Sequence, residues 1–210
     1  MNRLTCVYGR TLIITTCVFL SLLGTGWCYQ IWTILKDDDG TCESIWGSGG
    51  PDQSLCKIFT IDAAPACIEA AMIRYEMGAN PYHAQTQSHY AKPVAGVEWT
   101  VDLVIQVNGI VVAKGSPAEL ATKGWHRVTI DPAVLDGGDN LITFTLKGKG
   151  GGCFYLGIDT NTQCQRSGWS WDNGRHCMFD TLRPGCDPDP KWQGEYMVRL
   201  MIALREKQGL

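Results

Sequence analysis

The chain has 210 residues, a formal net charge of −3 and only 18 lysines and arginines, which form no basic cluster. This excludes nucleic acid as an expected partner, because phosphate binding relies on clustered basic side chains. Its 24 glycines and 8 tryptophans, with few strongly helical stretches after the N-terminus, favour a β-rich domain.

The first predicted element is an apolar run at residues 11–35, with 25 positions and no charge. About 20 apolar residues suffice to cross a bilayer core, so the run predicts a transmembrane helix. Arg3 and Arg10 precede it and acidic residues 37–39 follow it, which predicts a cytoplasmic N-terminus. We therefore expect residues 1–35 to form a cytoplasmic tip and a signal-anchor helix in a bacterial cytoplasmic (inner) membrane.

Two sets of residues in this run have predicted roles in the bilayer. Aromatic rings favour the membrane–water boundary, and three of them gather at the far end of the run: Trp27, Tyr29 and Trp32. Small residues let another helix approach closely, and the run offers Ser21, Gly24 and Gly26.

Two alternatives to the anchor remain open. Residues 11–23 also fit the apolar stretch of a secretory signal, with Gly24 and Gly26 as small residues before a cleavage site. In that case residues 1–26 would be removed. A pilin-type helix after Gly9 is the weaker alternative, because threonines stand where pilins place an acidic residue.

The next segment, residues 36–57, is acidic and rich in glycine, serine and proline, and it is predicted to be a linker or stalk. Residues 58–210 are predicted to be the extracytoplasmic domain. They begin with an alternating strand at 66–77, followed by a hairpin of 99–107 and 110–113 that turns at Asn108-Gly109. Further strands are predicted at 126–130, 141–146, 154–159 and 195–204.

Seven to nine short strands without intervening helices predict an all-β fold, an antiparallel, jelly-roll-like β-sandwich. The stretch "VDLVIQVNGIVVAKG…GWHRVTIDPAVLDGGDNLITFTLKG" resembles the central part of galactose-binding-like jelly-roll domains, which recur as carbohydrate-binding modules. That resemblance covers about fifty residues and implies the fold more than any ligand. Domains of this kind often hold a structural calcium ion. Neither "DGGDN" nor "DPDP", however, has the spacing of a recognised calcium loop, so no calcium site is assigned.

The sequence "SWDNGRHC", residues 170–177, is similar to the Asp-box turn of sialidase-like propellers. Asp172 and Gly174 suit a tight hairpin. Cys177 replaces the usual aromatic residue, which indicates that a disulfide anchors the turn. A propeller needs several copies and the chain has one, so we interpret the motif as a structural turn.

Four aromatic residues are candidates for a contact surface or a sugar-stacking platform: Trp169, Trp171, Tyr155 and Trp192. Trp169 and Trp171 are two positions apart and would share one face of a strand. Large aromatic residues also dominate protein cores and interfaces, and we favour those roles over sugar binding.

Ten cysteines are many for a reducing compartment. The disulfide candidates are those that follow the apolar run: Cys42, Cys56, Cys67, Cys153, Cys164, Cys177 and Cys186. Among the last four, the pairings between sequence neighbours, Cys153–Cys164 and Cys177–Cys186, are weakly preferred.

No cofactor, metal site or catalytic residue is predicted. His83 and His89 lie in one polar loop without a third ligand. The motifs of serine hydrolases, zinc proteases, P-loop enzymes and dinucleotide-binding enzymes are absent.

These features predict a non-catalytic, single-span accessory subunit of a larger bacterial membrane complex, whether respiratory, photosynthetic or transport-related. Its expected partners are the lipid bilayer and other subunits. A tethered or secreted carbohydrate-binding module, with glycan as its partner, is the alternative. A filament or surface-layer subunit is the third hypothesis.

Overall fold

The computed structural model describes residues 32–42, 44–48, 53–80, 101–120, 124–148, 153–162, 164–179 and 194–205. These residues contain twelve strands: β1 (Trp32–Leu35), β2 (Ser44–Ser48), β3 (Ser54–Ile61), β4 (Ile68–Asn80), β5 (Val101–Val107), β6 (Ile110–Gly115), β7 (Gly124–Ile130), β8 (Gly138–Gly148), β9 (Cys153–Asp159), β10 (Ser167–Ser170), β11 (Glu195–Tyr196) and β12 (Val198–Leu204). Three short helical turns, Pro65–Cys67, Pro117–Leu120 and Pro132–Val134, lie between strands.

The strands form two antiparallel sheets, which confirms the predicted all-β sandwich. The first sheet has the order β1-β12-β4-β9-β11, with β2 paired to β9 and β7 paired to β4. The second sheet has the order β10-β3-β8-β5-β6. Non-consecutive strands are neighbours in both sheets, so the core depends on contacts between distant parts of the chain.

Alternation along the strands supplies the apolar core. In β4 the odd-numbered residues Ala71, Ile73 and Tyr75 are fully buried, as the predicted period of two requires. The Tyr75 ring packs edge-on against Phe144 of the opposite sheet, with ring centroids 5.2 Å apart. Burial raises the pKa of Tyr75 to about 12, so its hydroxyl stays protonated and donates to the Leu120 carbonyl at 3.0 Å.

The predicted hairpin turn at Asn108-Gly109 is confirmed. Both residues have positive φ, 50° and 80°, as a tight two-residue hairpin turn requires. The Asn108 side chain also bridges to β8: its Nδ2 donates to Asn140 Oδ1 at 3.0 Å and its Oδ1 accepts from the Leu141 amide at 2.9 Å. The β5–β6 turn and the turn that precedes β8 therefore hold each other in place.

The last four residues of the predicted anchor helix form a strand instead. Trp32 to Leu35 form β1, which pairs with β12 from Trp32↔Ala203 to Leu35↔Leu200. The edge of a sheet carries unpaired backbone N–H and C=O groups, and β12 offers such an edge to these residues. Hydrogen bonding to β12 therefore outweighs the helical preference that the apolar run suggested. Trp32 is therefore part of the sandwich rather than of the end of the predicted helix.

The rest of the predicted anchor lies outside the described residues, including Trp27, Tyr29, Ser21, Gly24 and Gly26. In the part of the chain that the structure describes, no helix combines the length and the apolar character needed to cross a membrane.

The prediction of a linker at residues 36–57 is wrong. The segment contributes β2 and the first residues of β3 to the two sheets. Asp38, which lies between β1 and β2, is 4% exposed and accepts two hydrogen bonds from Arg199 Nε, at 3.2 and 3.1 Å, and a further one from Nη2. The acidic composition that suggested a solvated stalk supplies partners for buried cations instead.

Asp38→Ala tests whether this pair holds the segment in place. Arg199, whose side chain is 17% exposed, would lose its carboxylate, and we expect the free energy of unfolding to fall by about 3 kcal/mol. Asp102→Ala is the matched control, since Asp102 pairs with Lys114 at an exposed site and should cost at most about 1 kcal/mol. Equal losses in urea denaturation of the two variants would contradict the assignment.

Candidate functional site

The most distinctive surface feature is a hairpin at residues 169–178, hereafter the capping hairpin. Its strands are joined by a bridge between Trp169 and Met178, whose amides and carbonyls exchange hydrogen bonds of 3.1 and 2.8 Å. Asn173 and Gly174 turn the chain with φ of 63° and 83°. The Asp-box-like motif is therefore a structural turn, as predicted.

Ser170 and Asp172 hold this turn from inside. The Ser170 hydroxyl donates to Asp172 Oδ1 at 2.7 Å and accepts from the Gly174 amide at 3.0 Å. Asp172 also accepts from the His176 amide at 2.9 Å and contacts the His176 ring at 2.5 Å. The hydrogen bonds from His176, and next those from Ser170, hold the pKa of Asp172 below its usual value.

The capping hairpin lies on the outer face of the second sheet. The odd-numbered residues of β3, such as Leu55 and Phe59, face the core. Side chains alternate along a strand, so the sulfur of the even-numbered Cys56 points outward. It forms a disulfide with Cys177 across 121 residues of sequence. A Cβ atom placed on Gly174 would meet Thr143 Cγ2 of β8 at 2.6 Å, so only glycine fits between hairpin and sheet.

The predicted pairing Cys177–Cys186 is therefore wrong. Strand order in the second sheet, rather than sequence distance, brings Cys56 under the hairpin. Cys164 is also disulfide-bonded, to a sulfur outside the described residues. Cys186 and the Cys153 side chain lie outside them as well, Cys42 is exposed, and Cys67 is an exposed free thiol.

A shallow groove lies between the capping hairpin and the sheet, with a volume of about 380 Å³. Its lining residues come from β5, the β5–β6 turn, β8 and the hairpin: Gln106, Gly109, Leu141, Thr143, Lys147, Asn173, Gly174 and Arg175. Lys147 and Arg175 are the charged members of this lining, which contains no carboxylate. The groove therefore suits a ligand with acidic or hydrogen-bond-accepting groups.

Four exposed apolar side chains lie on the same two chain segments as groove-lining residues. Ile110 and Val111 follow Gly109 at the β5–β6 turn and are 51% and 53% exposed. Trp171 and Met178 belong to the capping hairpin and are 56% and 44% exposed. We refer to these four residues as the apolar rim. Such a combination is typical of a contact surface.

The predicted aromatic platform is not formed by the described residues. Trp169 and Tyr155 are 3% and 8% exposed, which prevents either from stacking on a sugar. Trp171 is exposed and packs edge-on against Trp169, with ring centroids 4.1 Å apart. Trp192 lies outside the described residues. Trp169 is buried because it lies on the inward face of β10, opposite Leu55.

A buried charge cluster lies between the sheets, and sequence analysis did not predict it. Lys57 Nζ lies 2.5 Å from Glu195 Oε2, with both side chains fully buried, and 2.9 Å from Asp37 Oδ2. Ser167 donates to Glu195 Oε2 at 2.6 Å. Burial, and to a lesser extent the charge of Glu195, raises the pKa of the neighbouring Tyr196.

One signal in the sequence could have revealed this cluster. In β3 the inward positions are Leu55, Lys57, Phe59 and Ile61, so a lysine stands in an apolar row. A buried cation requires a nearby carboxylate. The sequence does not show which of its 21 acidic residues would provide it.

No group of three or more histidine, cysteine or acidic side chains among the described residues is placed to hold a metal ion. In "DGGDN", Asp136 accepts from Asn108 and Asp139 accepts from Thr60. His83, His89 and "DPDP" lie outside the described residues.

Comparison with known proteins returns no matching family model and no matching curated protein.

Removing the disulfide should loosen the capping hairpin. In the double variant Cys56→Ala/Cys177→Ala we expect a loss of about 2–4 kcal/mol in the free energy of unfolding, and faster trypsin cleavage at the exposed Arg175. Cys67→Ala removes a free, exposed thiol and should change neither quantity. Unchanged cleavage at Arg175 in the double variant would show that the disulfide does not hold the hairpin.

The Asp172 network predicts a pH dependence. Because the folded pKa of Asp172 is lowered, its stabilisation is complete above the ordinary aspartate pKa of about 4 and is lost as pH falls through the lowered value. The stability difference between the wild type and Asp172→Asn should therefore shrink from pH 5 to about pH 2. Urea denaturation of both proteins at several pH values measures this stability difference. A difference that stays constant with pH would contradict the stabilising role of the ionised Asp172.

Proposed function

We propose that this protein is a non-catalytic, single-span accessory subunit of a larger bacterial membrane complex, respiratory, photosynthetic or transport-related. The galactose-binding-like jelly-roll sandwich would be its periplasmic part. With the anchor ending before β1, residues 11–31 still supply 21 positions without a charge, which is enough to cross a bilayer core.

The fold supports close coupling between this anchor and the sandwich. In the sequence, the uncharged residues 11–31 lead directly into Trp32, the first residue of β1. The acidic residues that follow are held by the domain: Asp37 by Lys57 and Asp38 by Arg199. A sandwich tethered in this way stays close to the bilayer surface, as a subunit docked on neighbouring membrane proteins requires.

The observation that carries the proposal is the apolar rim beside the groove. Four large apolar side chains are exposed on β6 and the capping hairpin, and neighbouring residues of both segments line a depression that contains two cations. Trp171 is the expected anchor of the contact, because tryptophan is enriched among residues that dominate binding energy. Lys147 and Arg175 would pair with acidic groups of the partner.

The arrangement of the buried charges also supports a non-catalytic role. Lys57 and Glu195 resemble an acid–base pair, but both are fully buried in the interior of the sandwich. Glu195 is occupied by hydrogen bonds from its own chain, so the pair serves the fold.

The second candidate, a carbohydrate-binding module, is favoured by the polar side chains in the lining of the groove. Gln106 and Asn173 can bond hydroxyl groups, and Lys147 and Arg175 favour an acidic sugar over a neutral one. Only Trp171, of the described members of the predicted platform, is exposed enough to stack on a pyranose ring.

Trp171→Ala tests the subunit proposal. Membranes from the native host, solubilised in mild detergent, should yield the intact protein together with its partner subunits in fixed proportion. We expect the amount of partner that co-purifies with the variant to be at least about tenfold lower than with the wild type, as for a central interface residue. Leu204→Ala is the matched control, because Leu204 is an exposed apolar residue of the other sheet.

Acidic polysaccharide binding separates the two candidates. If the protein is a lectin, binding should fall about tenfold or more in Lys147→Gln/Arg175→Gln and be retained in Arg127→Gln, which removes a cation from the first sheet. Purification without partners, together with this loss, would replace the subunit proposal with the carbohydrate-binding one.

A further inference from the structure

The ammonium group of Lys57 lies between two carboxylates inside the sandwich. Its Nζ is 2.5 Å from Glu195 Oε2 and 2.9 Å from Asp37 Oδ2. The lysine and glutamate side chains are fully buried, and that of Asp37 is 17% exposed. Three groups from distant parts of the chain therefore meet in a nearly water-free site.

The two carboxylates differ in their surroundings. Glu195 Oε1 accepts from the amides of Cys164 and Arg166 at 2.9 and 3.0 Å, and Oε2 accepts from the Ser167 hydroxyl at 2.6 Å. Both of its oxygens are therefore already occupied by donors of its own chain. Asp37 Oδ2 is buried and, among the described residues, receives no well-oriented hydrogen bond, so its contact with Lys57 is an ion pair only.

We propose that Lys57 and Asp37 become joined by an intramolecular isopeptide bond, with Glu195 carrying the protons. Glu195 accepts a proton from the Lys57 ammonium, and the resulting amine attacks Cγ of Asp37. A C–N bond forms, and one C–O bond of the Asp37 carboxyl breaks. The departing oxygen takes up two protons and leaves as water, and Glu195 ends in its original ionised state.

The balance of this step requires no other reactant. An ammonium and a carboxylate become a neutral amide and one water molecule, with no change of oxidation state. The reaction removes two charges from the interior, where unpaired or poorly solvated charges are costly. The fold holds the reacting groups in contact, which replaces a bimolecular encounter with an intramolecular one.

The assignment to Asp37 rather than Glu195 follows from the hydrogen bonds. Attack on Glu195 would require the loss of a carboxylate that three donors already stabilise, besides Lys57. Attack on Asp37 leaves all three bonds intact and allows the new amide N–H to remain beside Glu195.

The bond would tie the chain just after β1 to β3, the strand that also carries the disulfide to the capping hairpin. Pulling on the N-terminal segment would then load β3 through a covalent bond. This consequence does not depend on the proposed function, because the bond requires only that the domain folds.

The intact mass of the full-length wild-type protein tests the proposal directly. After complete reduction and alkylation of cysteines, the mass should lie about 18 Da, one water, below that calculated for the linear chain with every cysteine alkylated. Digestion should then yield a branched peptide that joins Asp37 to Lys57. A mass equal to that of the linear chain, or a branch from Lys57 to Glu195, would overturn the proposal.

Variants assign the chemistry. Asp37→Ala, Lys57→Met and Glu195→Gln should each restore the linear mass. Asp37→Asn should form the same amide with loss of ammonia, about 17 Da. Asp102→Ala is the control, because its carboxyl group pairs with an exposed lysine, and it should keep the deficit. If a core variant fails to fold, the wild-type mass and branched peptide still decide the outcome.

Discussion

Burial of the Lys57 ammonium is the constraint on which most of this architecture depends. A cation enclosed between two sheets requires carboxylates at contact distance, and the fold provides them from opposite ends of the chain, through Asp37 and Glu195. Meeting that requirement draws the segment after β1 into the domain and positions β11. A second ion pair, between Asp38 and Arg199, likewise attaches the segment after β1 to the domain, through β12.

Strand β3 connects this interior to the candidate binding surface. Its inward face carries Lys57, and its outward face carries Cys56, which is bonded to Cys177 of the capping hairpin. The position of the hairpin defines one wall of the groove and presents Trp171 to solvent. A mutation that disturbs β3 should therefore affect both the internal charge cluster and the surface groove, although the two lie on opposite faces of one strand.

Much of the fold could be predicted because its signals are local. The alternation in β4 and the Asn108-Gly109 turn depend on neighbouring residues alone, and the structure confirms both. The linker at 36–57 was wrong for a physical reason: acidic, glycine-rich composition indicates solvation only when no buried cation is available as a partner. Trp169 takes the core role that was favoured over a sugar platform, and the sequence alone left that choice open because the exposure of Trp169 depends on which sheet face covers it.

By itself, the amino-acid sequence determined the all-β class, the strand periods, the tight turns and the role of Asp172 in a structural hairpin. All of these follow from side-chain alternation and local backbone preference. Only the tertiary structure decided that Cys56 pairs with Cys177, that Asp37 and Glu195 share Lys57, and that the groove lies beside β8. The contacts of Cys56 with Cys177 and of Lys57 with Glu195 join residues more than a hundred positions apart, and even Asp37 and Lys57 are far beyond the range of any local pattern, so none specifies which partner each residue will meet.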